Sequence, residues 1–124
     1  MEYLLVLYAE EAGWSNLTKV QQQEGVAAYV AYTEALKKAG VHKGSNRLQP
    51  ISAATTVRVA NGKSQVLDGP YIESKEQLGG YYLIDVPDLD SALSWAARCP
   101  GASHGTVEVR PVWAISAYAA PAAG

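Results

Sequence analysis

The sequence predicts an α+β fold: a ferredoxin-like antiparallel sheet with two helices on one face. Three observations predict it. The elements read, in order, strand, helix, strand hairpin, strand, helix, strand. Two stretches switch from strand-like runs to a helical period. The strands also carry apolar side chains for both faces of a sheet, in Leu5, Leu7, Val57, Val59, Tyr82, Ile84, Val107 and Val109. A second face that apolar needs a partner, so a symmetric homodimer with the two sheets packed against each other is expected.

Glu2 to Ala9 is a near-continuous apolar run of strand length, as in a central strand covered on both faces. Glu10 to Asn16 reads as a loop around Gly13. From Leu17 to Ala39, Val26, Tyr29, Val30, Thr33 and Leu36 form one stripe of an amphipathic helix. Thr18 and Gln21 have capping-box spacing, and Lys37-Lys38 followed by Gly40 suits the C-terminal end. Gly25 reads as a weak point inside it. Val41 to Pro50 is polar connection with a short strand near Arg47-Leu48-Gln49. Ala54 to Ala60 alternates, Asn61-Gly62 is a hairpin turn, and Lys63 to Leu67 returns. Gly80 to Val86 is an apolar strand. Asp88 caps a second helix whose buried stripe is Leu89, Ala92, Leu93 and Ala96, and Pro100-Gly101 stops it. Thr106 to Trp113 is the last strand, and Pro111 inside it marks either an edge or a strand that ends early. Residues 114–124 form a tail.

Composition narrows the function classes. The apolar fraction is 48% and the charged fraction 18%, as in a globular chain of one domain. A net charge of -2 offers no field for nucleic acid. The single cysteine, Cys99, leaves no internal disulfide or multi-cysteine metal site. Neither a signal peptide nor a membrane span is legible, so a cytoplasmic protein is expected. Phe is absent against eight Tyr and three Trp, so Tyr supplies most of the aromatic volume and its buried hydroxyls need partners.

The stretch from Asp68 to Tyr82 concentrates the chemistry. Asp68-Gly69-Pro70 is turn chemistry, and Glu73, Lys75 and Glu76 follow as a charged cluster. Gly79-Gly80 then lets another backbone or a ligand approach closely. With Asp68-Gly69-Pro70-Tyr71, Lys75-Glu76-Gln77-Leu78-Gly79-Gly80-Tyr81-Tyr82, Asp88-Leu89-Asp90, Trp95 to Pro100 and Val107 to Val112, the chain resembles the YCII-related superfamily in its DGPF-type branch. The resemblance spans residues 1–113. It implies a dimeric α+β barrel of unassigned activity, and, from the gene neighbourhoods of relatives, an extracytoplasmic-function sigma factor as partner. Tyr71 stands where the motif usually has Phe. The superfamily's case for catalysis rests on a histidine in the first helix and an aspartate before a proline after the second. The first helix here has no histidine, and Cys99 precedes Pro100.

Asp68, Glu73, Lys75 and Arg110 are the candidate ligand-binding residues, with Glu76 and Glu108 beside them. A Lys or Arg there would hold a carboxylate. The competing readings are a turn cap for Asp68 and solvated or buried ion pairs for the rest. Asp68 and His42 are the candidate acid/base groups. His42 and His104 read as loop histidines. Metal binding is unsupported, and no cofactor is expected, because Gly79-Gly80 lacks the strand-loop-helix setting of a phosphate cradle. Cys99 reads as a packing thiol, and Trp95 and Trp113 as core or interface anchors. The leading functional reading is a dimeric small-molecule-binding or accessory module. The alternative is an enzyme of isomerase or lactone-processing type.

Overall fold

The structure is a computed structural model, and it describes residues 1–118. Its elements are β1 (Glu2–Ala9), α1 (Glu11–Ser15), α2 (Lys19–Lys38), β2 (His42–Arg47), β3 (Thr55–Ala60), β4 (Lys63–Asp68), β5 (Gln77–Asp85), α3 (Leu89–Arg98), β6 (Thr106–Pro111) and α4 (Ile115–Tyr118). Short 3-10 turns occupy Ile51–Ala53 and Pro100–Ser103. The main sheet has the order β2-β5-β1-β6, and every neighbouring pair is antiparallel. With α2 and α3 as the two crossovers, this is the ferredoxin-like arrangement. β3 and β4 form a separate two-stranded sheet inserted between β2 and β5.

Alternation along β1 assigns the two faces. Tyr3, Leu5 and Leu7 turn toward the helices, beside Ile84, Tyr82 and Gly80 of β5 and Val109 and Val107 of β6. Tyr32 and Leu36 of α2, Ala92 and Ala96 of α3, and Cys99 close this core. Leu5, Leu36 and Ile84 are its largest fully buried side chains, each stabilising by about 1.5–3 kcal/mol. The hydroxyls are satisfied, as a tyrosine-rich core requires. Tyr32 donates to the Trp95 carbonyl oxygen at 2.7 Å. Thr33 donates its one hydroxyl proton to the Tyr29 carbonyl oxygen, so Tyr82 is the donor in its 2.8 Å bond to Thr33. The Tyr32 and Tyr82 rings meet edge to face at 5.1 Å.

The signals at element ends hold. Thr18 and Gln21 form both bonds of a capping box, and Asp88 accepts from the Ser91 N–H at 2.8 Å. Asn61 and Gly62 both have positive φ, the left-handed pair that a two-residue hairpin turn demands.

Several expectations need correction. The stretch from Glu10 to Asn16 is not all loop: α1 forms there and sets Trp14 against α2 at Gly25, where a Cβ would come within 2.9 Å of the indole. Gly25 is thus a seat for a ring rather than a defect, and Arg47 stacks on the same indole at 4.7 Å. The second strand is His42–Arg47, not Arg47 to Gln49; it is polar because it is an edge. Val57 and Val59 belong to the inserted hairpin and give the main sheet nothing. Val26 and Val30 are exposed, and α2 turns Tyr29, Tyr32, Thr33 and Leu36 inward instead. On α3, Leu89 and Leu93 are likewise exposed, because Ala92 and Ala96 let the helix approach the sheet closely. The tail begins with the short helix α4, and its remainder, 119–124, lies outside the described residues.

Gly79-Gly80 is the close approach the sequence announces, and the neighbour is backbone. A Cβ on Gly80 would lie 2.7 Å from the Asn46 carbonyl oxygen of β2. Gly80→Ala is therefore expected to destabilise the fold by about 1–3 kcal/mol. A lowered urea midpoint at unchanged slope is the measurement that checks it.

Candidate functional site

The opposite face of the main sheet carries Leu4, Val6 and Tyr8 from β1, Tyr81 and Leu83 from β5, and Thr106, Glu108 and Arg110 from β6. None of the helices that cover the other face lies here. At one end of this face is a cleft of about 760 Å³. Tyr8, Leu78 and Thr106 form its floor. Registers put them side by side: Tyr8 pairs with Leu78 on one flank and Thr106 on the other, once the ladder slips between Leu7 and Tyr8. The connection from Pro70 to Gln77 rises over this floor as a wall, and Ile51 closes a side.

The wall is held by short polar contacts. Gln77 donates to the Ser74 carbonyl oxygen at 2.6 Å and accepts the Glu11 N–H at 2.9 Å. Ser74 donates to the Glu76 carbonyl oxygen. Thr106 donates to the Glu76 carboxylate at 2.7 Å, tying wall to floor. Glu11 in turn accepts the Ile51 N–H at 2.8 Å. At the wall's base, Gly69 donates to the Ala54 carbonyl oxygen and Thr56 to that of Gly69, and the Arg58 guanidinium sits 6.0 Å over the Tyr71 ring. The lining is mostly apolar, with two tyrosine rings, an ammonium at Lys75 and a carboxylate at Glu76. Such a surface can stack a small ring and offer one cation to an acidic substituent.

Of the residues singled out in the sequence, Lys75 and Glu76 line the cleft; Asp68, Glu73 and Arg110 do not. Asp68 is exposed at the end of β4, and the bonds at its turn come from Thr56 and the backbone. Glu73 is exposed on the wall. Arg110 and Glu108 share the open sheet face and are both exposed, which removes the buried-pair reading. Arg110 lies four residues along β6 from Thr106, which is about 13 Å at strand rise. His42 is in a strand rather than a loop. It faces the helices, bonding the Ser45 hydroxyl at 2.9 Å with its ring 6.4 Å from Tyr82, on the side of the sheet away from the cleft. His104 is exposed after the Pro100–Ser103 turn. Tyr8, Ile51, Leu78 and Thr106 were not singled out; only the strand register brings them together.

Among the described residues, no three His, Cys, Asp or Glu side chains gather where a metal could sit. No described helix is long and apolar enough to cross a membrane. Trp95 is a core anchor, flanked by Tyr32 and by Arg98 at 4.2 Å. Trp113 is mostly exposed, so it is no core residue.

Cys99 is buried in the core, close to Tyr29 of α2. Burial pushes Tyr29 up to about 12, with Cys99 adding to the shift. Burial likewise raises Tyr32, Tyr82 and the Cys99 thiol. Cys99, buried and with its thiol pushed up, thus stands before Pro100 where the resemblance would put an aspartate.

Residues 1–116 match the family model described as the YCII-related domain. A relative from Rhizobium meliloti (strain 1021), named only as uncharacterized protein R00369, is 38% identical over 114 residues, covering 90% of this chain and 92% of the relative. Among solved structures, the 5-chloro-2-hydroxyhydroquinone dehydrochlorinase TftG from Burkholderia phenoliruptrix AC1100, in complex with 2,5-dihydroxybenzoquinone, is similar with a TM-score of 0.53. That likeness covers 91% of this chain and 94% of the other at 15% identity, and shows a shared fold.

The buried phenols give stability an alkaline limit. Their folded-state values lie above the ordinary 10.0, so their contribution is complete below pH 10 and is lost as pH climbs toward 12. Urea midpoints are expected to fall steadily above pH 10, and Tyr29→Phe to make that fall shallower.

Proposed function

Because the chain belongs to the YCII-related domain family, we propose that it is a homodimeric module that binds a small ring compound bearing an acidic or hydroxyl group. The observation that carries this reading is the cleft at the end of the open sheet face. Its floor is Tyr8, Leu78 and Thr106, its wall is the connection from Pro70 to Gln77, and Lys75 stands among its lining residues. The floor runs on into Val6, Leu4, Tyr81 and Leu83. An apolar sheet face of this kind favours a second sheet over water, and a second copy laid across it would roof the cleft. The complex of the dehydrochlorinase with 2,5-dihydroxybenzoquinone supports hydroxylated rings as first probes.

The enzymatic alternative would have to run on cleft groups, Glu76 and the tyrosines, and not on Asp68 or His42. Both readings use the same cleft, so one experiment separates them. Purified protein is titrated with dihydroxybenzoates and with their neutral dihydroxybenzene counterparts, following melting temperature and the absorbance of the ring. A rise in melting temperature with the ring unchanged is the expected result. Consumption of the ring compound would favour the enzyme, and no shift with any probe would sink the binding reading. Lys75→Ala is expected to weaken the benzoates roughly fivefold, on the scale of one partly solvated ion pair, and to leave the neutral rings unaffected.

A further inference from the structure

Among the described residues, the β3–β4 hairpin buries almost none of its side chains against its own chain. Two strands alone are marginally stable in water at best. Yet every strand residue of this hairpin except Thr56 is exposed. Register puts Val57 opposite Val66, with Val59 on the same face, and these three are 59%, 61% and 67% exposed. Leu67, on the reverse face, is 62% exposed. A surface this apolar, on a ribbon with no core of its own, is built to be covered.

We infer that this hairpin is an arm that clasps a second copy of the chain, closing the dimer and setting the cleft wall. The inference rests on the dimer proposed above and goes beyond it. Area is the first argument. Four strands about 4.8 Å apart and about 20 Å long give the open sheet face about 400 Å² in plan. Stable interfaces bury about 800 Å² of accessible surface per partner, and a face of this plan area is at the small end for one even after the relief of its side chains is counted. One side of the arm adds about 200 Å², and the strip it covers on the other copy adds as much again. The arm therefore enlarges the interface substantially, and a two-fold axis covers both chains' arms and both open faces in one step.

Continuity is the second argument. The arm runs directly into the cleft: β4 ends at Asp68, and Pro70, Tyr71 and Ile72 are already wall. Arg58 of the arm stacks over Tyr71 of the wall, and Thr56 holds the Gly69 carbonyl oxygen between them. Fixing the arm on a partner fixes the wall. Association and ligand binding are thereby linked, each tightening the other.

Two measurements on the full chain test the arm. The dimer constant is read by light scattering over a dilution series, for the wild type and for Val59→Lys. Val59 faces Ser64 across the hairpin, so the new charge meets no like charge there. Amide exchange of residues 55–68 in the wild type is then compared at concentrations above and below that constant. The expected result is a dimer weakened at least tenfold by Val59→Lys, with arm amides protected only when dimeric. A wild-type dimer with equally labile arm amides at both concentrations, and unweakened by Val59→Lys, overturns the arm and spares the dimer. A wild-type monomer at every concentration overturns both.

Discussion

The double pairing of β1 governs this molecule. It is hydrogen-bonded on one side to β5 and on the other to β6, and its alternation sorts the sheet into two surfaces. Tyr3, Leu5 and Leu7 define the core, whereas Leu4, Val6 and Tyr8 define the open face. A slip by one residue would exchange the two sets. The cleft inherits its floor from the same ladder, because Tyr8 carries Leu78 and Thr106 on either hand. Core, open face and cleft are thus three readings of one register.

The absence of phenylalanine shapes how that core is closed. Each tyrosine brings a hydroxyl inward, and among the described residues no buried side-chain nitrogen or oxygen lacks a partner. Tyr82 reaches Thr33, and Tyr32 reaches the α3 backbone. These bonds cross between sheet and helices, or between helices, so they orient α2 and α3 as well as satisfy polar atoms. Cys99 belongs to the same buried set, at the position before Pro100 where the family resemblance would put an aspartate.

Much of the fold was legible because local chemistry and global order agree. Thr18 with Gln21, Asn61-Gly62 and Asp88 each announce a boundary through side chain or dihedral, and each boundary is where it should be. β2 was hard to see because an edge strand need not be apolar. The helix faces were misassigned for a different reason. Large aliphatic residues at helical spacing drew attention to Val26, Val30, Leu89 and Leu93, but Gly25, Ala92 and Ala96 decide which side can come close. The motif stretch led to Lys75 and the wall, since those residues are contiguous. The floor was not legible, because Tyr8, Leu78 and Thr106 sit on three strands and meet only through pairing. Arg110 was placed with Lys75 by charge alone, and strand rise separates them.

The hairpin interrupts the β2–β5 connection without entering the main sheet. Its length and side chains can therefore change while the ladder that orders everything else stays as it is. Two proteins could share this scaffold down to the cleft floor and still refuse to mix subunits, simply by carrying ribbons that no longer fit each other. Choice of partner would then be written in a dozen residues that the fold itself never reads.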